Sequence, residues 1–204
     1  MAEGKVIIGF RAPYVALYNN EGGVTNYTKG RRLARGVSVS MDVEASDDND
    51  FYADDQLAET EGGRFSSGTL KYTVDGLLDE AERFIYGIPE PKEMSYGTDK
   101  KVKVMKYGDN AEPPYVGAGH IIVYQSGGAI TYQPMILTKV KFSTHGLEAK
   151  TMEDKKDWQT QDLEATMCRD DSENHDWKWL AEEQTTEAQA IAILEALLGV
   201  GKEN

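Results

Sequence analysis

The carboxylates of Asp47-Asp48-Asn49-Asp50 are the first residues whose types and spacing suggest chemistry, and that chemistry is cation binding. A helix–loop–helix calcium site needs oxygen ligands at alternate positions and a glycine at the sixth. Counted from Asp47 the fifth position is Phe51, counted from Asp48 it is Tyr52, and neither register brings a glycine to the sixth. The run therefore reads as an acidic loop, with a cation site of non-standard design left open. His120, His145 and His175 show neither helical nor hairpin ligand spacing. Cys168, the single cysteine, is either half of a nucleophile pair with one of these histidines or a small packed side chain. Trp158, Trp177 and Trp179 suit a sugar platform or burial in a core or interface. No Gly-rich phosphate loop follows a strand pattern. These residues assign no catalytic group, no metal and no cofactor, and the chain is not expected to be an enzyme.

A contact surface is the other role open to the acidic residues. Ser46 to Gly63 contains Asp47, Asp48, Asp50, Asp54 and Asp55 around the aromatic pair Phe51-Tyr52, and no Lys or Arg occurs between Arg35 and Arg64. The stretch is long for a tight turn and shows no regular period, so it is expected to be a long loop. An aromatic pair carried among acids suits an interface anchor.

The elements that hold this loop are clearer. Gly36 to Ala45 alternates Val37, Val39, Met41 and Val43 with Ser38, Ser40, Asp42 and Glu44. Gly68 to Val74 alternates Leu70, Tyr72 and Val74 with Thr69, Lys71 and Thr73. Period two is the signature of a half-buried strand. A helix follows, with Asp75 expected as its N-cap, Leu77, Leu78, Ala81, Phe84 and Ile85 on one face, and Gly87 ending it.

Upstream, Val6 to Phe10 and Tyr14 to Tyr18 are short apolar runs, and Asn19 to Gly23 is turn chemistry leading to Val24. Thr28 to Arg35 carries Lys29, Arg31, Arg32 and Arg35, either a patch for a neighbour's acidic loop or a solvated connection. Downstream, Lys100 to Lys106 alternates as an exposed strand. Tyr115 to Tyr124 and Ala129 to Thr144 flank a Gln125-Ser126-Gly127-Gly128 turn as a hairpin, with Pro134 suggesting an edge or bulge. Glu148 to Met152 is a weak strand and Glu153 to Asp157 a charged turn. Trp158 to Arg169 alternates Leu163, Ala165 and Met167 with Asp162, Glu164 and Thr166. Trp177 to Gln184 is a last strand. Thr186 with Gln189 forms a capping box for a C-terminal helix at about 187–198, closed by Gly199. The sum is mainly β, sandwich- or barrel-like, with one packed helix and a C-terminal helix, in a single domain over 1–204.

Composition narrows the function. The 204 residues carry a formal net charge of −13, which argues against a grip on nucleic acid, since phosphate contacts need an excess of Lys and Arg. With one cysteine no internal disulfide is possible. No run is long and apolar enough for a membrane helix, and no membrane partner is expected.

Several segments, taken in order, resemble the major tail protein family of long-tailed, non-contractile bacteriophages. They are Phe51-Tyr52-Ala53-Asp54-Asp55-Gln56-Leu57-Ala58-Glu59, Gly68-Thr69-Leu70, Val74-Asp75-Gly76-Leu77, Pro114-Tyr115-Val116-Gly117 with Gly119, Lys139-Val140-Lys141-Phe142, Ala149-Lys150-Thr151, Gln159-Thr160, Leu163-Glu164-Ala165-Thr166 and Thr186-Glu187-Ala188. The resemblance implies a β-sandwich tail tube fold with a helix packed on it. It implies a structural virion protein whose hexameric rings stack into the conduit for DNA, made in the host cytoplasm. Implied partners are further copies of the chain, the tape measure, tail terminator and distal tail proteins, and genomic DNA that passes without specific binding. In that setting the loop residues Asp47, Asp48, Asp50, Phe51, Tyr52, Asp54 and Asp55 are expected to contact the next ring. Asp42, Glu44, Asp162 and Glu164 are expected to face the lumen. The alternative is a β-sandwich adhesion or carbohydrate-binding module using the Trp residues, or the acidic loop with calcium.

Overall fold

The alternating stretches become strands of one large antiparallel sheet. A computed structural model describes residues 4–46, 49–53, 56–144, 146, 151 and 158–202, and no side chain is described between 49 and 61. The strands are β1 (Val6–Glu21), β2 (Val24–Arg32), β3 (Gly36–Ala45), β4 (Asn49–Ala53), β5 (Gln56–Glu61), β6 (Phe65–Val74), β7 (Lys92–Ser95), β8 (Lys101–Val104), β9 (Val116–Ser126), β10 (Ala129–Phe142), β11 (Gln161–Cys168) and β12 (Lys178–Leu180). The helices are α1 (Asp79–Tyr86) and α2 (Glu187–Leu197). The main sheet runs β2-β1-β9-β10-β11-β6-β3, with β12 added beside β10. The protein is therefore mainly β, with two helices among the described residues, as its alternation implies.

The sheet folds over on itself. Tyr72 of β6 reaches across to β9, its hydroxyl 2.8 Å from His120 Nδ1, and Phe10 of β1 stacks on the Tyr72 ring at 5.6 Å. A Cβ at Gly36 would strike the Phe10 ring, so the missing side chain lets β3 close against β1. Between the layers lie Val15, Leu70, Val116, Leu137, Phe142, Leu163 and Met167, joined by Ala81 and Ile85 of α1. The other face of β1, β9 and β10 is covered by α2, where Ala190, Leu194 and Leu198 pack with Tyr27, Ile121 and Ile136. Thr186 caps α2, its hydroxyl accepting from Gln189 N at 3.4 Å. Past the helix, Val200 bridges Gly30 and the Lys202 carbonyl accepts from Lys29 N, so the tail covers part of the β2 edge.

Several expectations are corrected. The long loop is not irregular: β4 and β5 pair as an antiparallel hairpin, Asn49 opposite Glu61 and Ala53 opposite Gln56. Its base is pinched by a bond from Ser46 N to the Arg64 carbonyl at 2.8 Å. Leu78, not Asp75, is the α1 N-cap, because Asp75 turns back to accept from Arg35 N at 3.0 Å. Leu78 lies 73% exposed rather than on the packed face. Gly87 does end α1, at φ 62 in the left-handed region. Within β3 only Val39 and Met41 meet the core, while Val37, at a register shift between Gly36 and Ser38, and Val43, opposite Gly68, are exposed. The two N-terminal runs form one strand whose register shifts between Arg11 and Tyr14, where Ala12 takes φ 51. Pro134 lies in the interior strand β10, opposite Ile121, and the register shift of that strand falls between Leu137 and Val140 instead. The Lys100–Lys106 strand gains an unexpected partner in β7. The strand expected at Glu148 to Met152, apart from Thr151, which is in no strand, and the turn at Glu153 to Asp157 lie outside the described residues.

Candidate functional site

Register alone brings the scattered carboxylates together. Asp42 pairs with Thr69, Glu44 with Ser67, Asp162 with Thr73 and Glu164 with Lys71. Residues directly opposite in a sheet share a face. Asp42, Glu44, Asp162 and Glu164 therefore stand on one exposed polar face of β3, β6 and β11, opposite the core face formed by Val39, Met41, Leu70, Tyr72, Leu163 and Ala165. Neighbours hold them in place. The Ser67 hydroxyl donates to Glu44 at 2.8 Å, and the Thr73 hydroxyl donates to Asp162 at 2.8 Å. Lys71 stands 3.6 Å from Glu164, and both are more than half exposed, so the pair adds little stability. Four carboxylates around one ammonium leave the face negative.

The remaining candidates stand apart from this face. Asp50, Phe51 and Tyr52 lie on β4, in the hairpin that leaves the sheet between β3 and β6. Asp47, Asp48, Asp54 and Asp55 lie outside the described residues. Arg31 and Arg35 of the basic stretch before β3 are engaged within the chain. Arg31 pairs with Glu80 at 2.8 Å and sits over the Phe84 ring, and Arg35 pairs with Asp75.

His120, Trp177 and Trp179 have structural partners, and His145 lies outside the described residues. His120 is fully buried against Phe10 and Tyr72, and burial pushes its pKa down to about 3. Trp177 stacks on Phe65 at 4.6 Å, and Trp179 meets Tyr27 edge-on at 5.7 Å. Trp158 is 85% exposed. Cys168 is half-buried at the end of β11. Among the described residues no group of three or more His, Cys, Asp or Glu is placed to hold a metal ion.

Two features were not legible as sites. One is the buried Tyr72–His120 pair, which joins residues 48 apart in sequence across two sheet layers. The other is the lysine-rich hairpin of β7 and β8, a two-stranded sheet separate from the main one. Its lysines were visible, but their partner strand has no alternation to reveal it.

The fold and its surfaces define a mainly β protein with an acidic sheet face and two hairpins separate from the main sheet. No family model matches the chain, and no curated protein matches it. Among the described residues no helix is long and apolar enough to cross a membrane.

Proposed function

We propose that the chain is a tail tube subunit of a long-tailed, non-contractile bacteriophage, a structural protein without catalytic activity. Its hexameric rings stack into a conduit for DNA, and its partners are other copies of itself and the tail proteins at either end and along the lumen. The observation that carries this reading is the single exposed sheet face on which Asp42, Glu44, Asp162 and Glu164 converge. A conduit must contact DNA without holding it. Each Lys or Arg that neutralises a phosphate releases a counterion and adds favourable binding, and repetition around a ring would turn weak attraction into a trap. Carboxylates repel the phosphates and keep water between the surfaces. The projecting β4–β5 hairpin, with Phe51 and Tyr52, is suited to reach an adjoining ring.

Electron microscopy and sedimentation of the purified full chain test the reading. Rings or tubes with a central channel are the expected result. A protein that stays monomeric when concentrated, or when seeded with preformed tail tips, and that binds glycans or calcium instead, would overturn it.

A further inference from the structure

We propose that the β7–β8 hairpin is a docking surface for the β4–β5 hairpin of a second copy of this chain. Copies then associate head to tail through oppositely charged arms. The proposal rests on the tube reading for its setting and deepens it by naming the surface that receives the acidic arm.

Each arm is a two-stranded sheet separate from the main one. An isolated hairpin is marginal in water and gains stability from a covering layer. In β7–β8, Met94 lies opposite Val102 and Lys92 opposite Val104, so these four share a face. Met94 and Val102 are 43% and 45% exposed, which leaves an apolar strip open beside a lysine. The other face carries Lys101 and Lys103 around Glu93, with Lys101 3.3 Å from Glu93. From Lys92 to Lys106 there are five lysines against Glu93 and Asp99, in a chain whose net charge is −13. This surface asks for an occupant that is both acidic and apolar.

The chain itself contains one. Strands β4 and β5 carry Asp50, Glu59 and Glu61 beside Phe51, Tyr52 and Leu57, with no Lys or Arg. Among the described residues the two arms form strand pairs only within themselves, β4 with β5 and β7 with β8, so the complement to each is offered by another molecule. Donor and acceptor arms are different surfaces, and such a heterologous contact repeats from copy to copy into a ring or a stack. Opposite charges fix the register and discourage contact between like arms.

Charge exchange in the full-length chain tests the pairing, with sedimentation velocity at low and high salt as the readout. Lys101→Glu with Lys103→Glu should weaken self-association on the order of tenfold or more, because like charges then meet. Asp50→Lys with Glu59→Lys should weaken it similarly. All four changes in one chain should restore it, and added salt should weaken the parent. A folded Lys101→Glu, Lys103→Glu variant that associates like the parent overturns the pairing, as does a four-fold variant that fails to recover. A parent chain that stays monomeric also overturns it. Circular dichroism separates misfolding from lost contact, and an arm-deleted chain that no longer associates remains as the folded control. If the charge variants still form channelled tubes under the microscope, the tube reading stands and only the pairing fails. If the parent associates into particles without a channel, the pairing survives and the tube reading fails.

Discussion

His120 shows how one residue links the two layers to solution conditions. Its Nδ1 is hydrogen-bonded to the Tyr72 hydroxyl, and its buried Nε2 has no partner among the described residues. A charged imidazole there would be desolvated with one N–H unsatisfied. Its pKa is about 3 in the fold, against the usual 6.5. A folded-state pKa below the unfolded value means that the neutral form belongs to the fold. The stabilisation is complete above the unfolded pKa and is lost as pH falls from 6.5 toward 3. Thermal melts from pH 7 to pH 4 should show a loss approaching about 1.4 kcal/mol for each pH unit below 6.5 from this residue. His120→Gln, which keeps an acceptor for Tyr72, should be less stable at pH 7 and have a flatter profile; an equally steep profile would mean that carboxylates alone set the acid limit. Burial also sorts the apolar residues. Leu70 is fully buried, so Leu70→Ala should cost roughly 2–5 kcal/mol. Val43 is 50% exposed on the last strand of the sheet, and Val43→Ala should stay within about 0.5 kcal/mol. Equal shifts in melting temperature for the two variants would contradict the layering.

The elements divide into those that make the core and those that project from it. Strand β6 belongs to the first group: it pairs with β3 on one side and β11 on the other and supplies Leu70, Tyr72 and Val74 to the interior. The β4–β5 hairpin belongs to the second. Among the described residues it pairs only with itself, and Ser46 and Arg64 already meet at its base. Replacing residues 47–62 by a short glycine turn should therefore leave the melting temperature of the remaining domain within a few degrees of the parent, while abolishing self-association. Unfolding of that variant would show the hairpin to be part of the core, and assembly into long tubes would show that it does not join rings. Helix α2 is fixed from both ends, by the Thr186 cap and by the Val200 bridge to β2. Thr186→Ala should cost about 1 kcal/mol, read as a lower denaturant midpoint with an unchanged slope.

At the scale of the whole molecule, the question is which way the acidic face looks. If Asp42 and Glu44 line a lumen, Asp42→Lys with Glu44→Lys should still permit assembly, since both side chains are exposed and outside the core. DNA passage through tails built from that variant should be slower and more sensitive to salt, because each new cation adds a phosphate contact. Tails whose ejection rate and salt dependence match the parent would put this face on the outside. The local periods are written along the chain: the alternation of Gly68 to Val74 and of Leu163 to Met167 sets which side of each strand is apolar, and Thr186 with Gln189 sets where α2 begins. Such features depend on neighbours one to four residues away, and those are written next to each other in the chain. The rest came from long-range packing. It set Val37 and Val43 at solvent, because alternation reveals neither where a strand's register shifts nor that β3 is the last strand of its sheet. It drew Asp75 away from the helix to Arg35, a competing partner 40 residues distant. It gathered Asp42, Glu44, Asp162 and Glu164 on one face only through the register of β3 and β11 on β6. Burial and register are collective outcomes of packing, and no window of sequence contains both partners of a long-range pair.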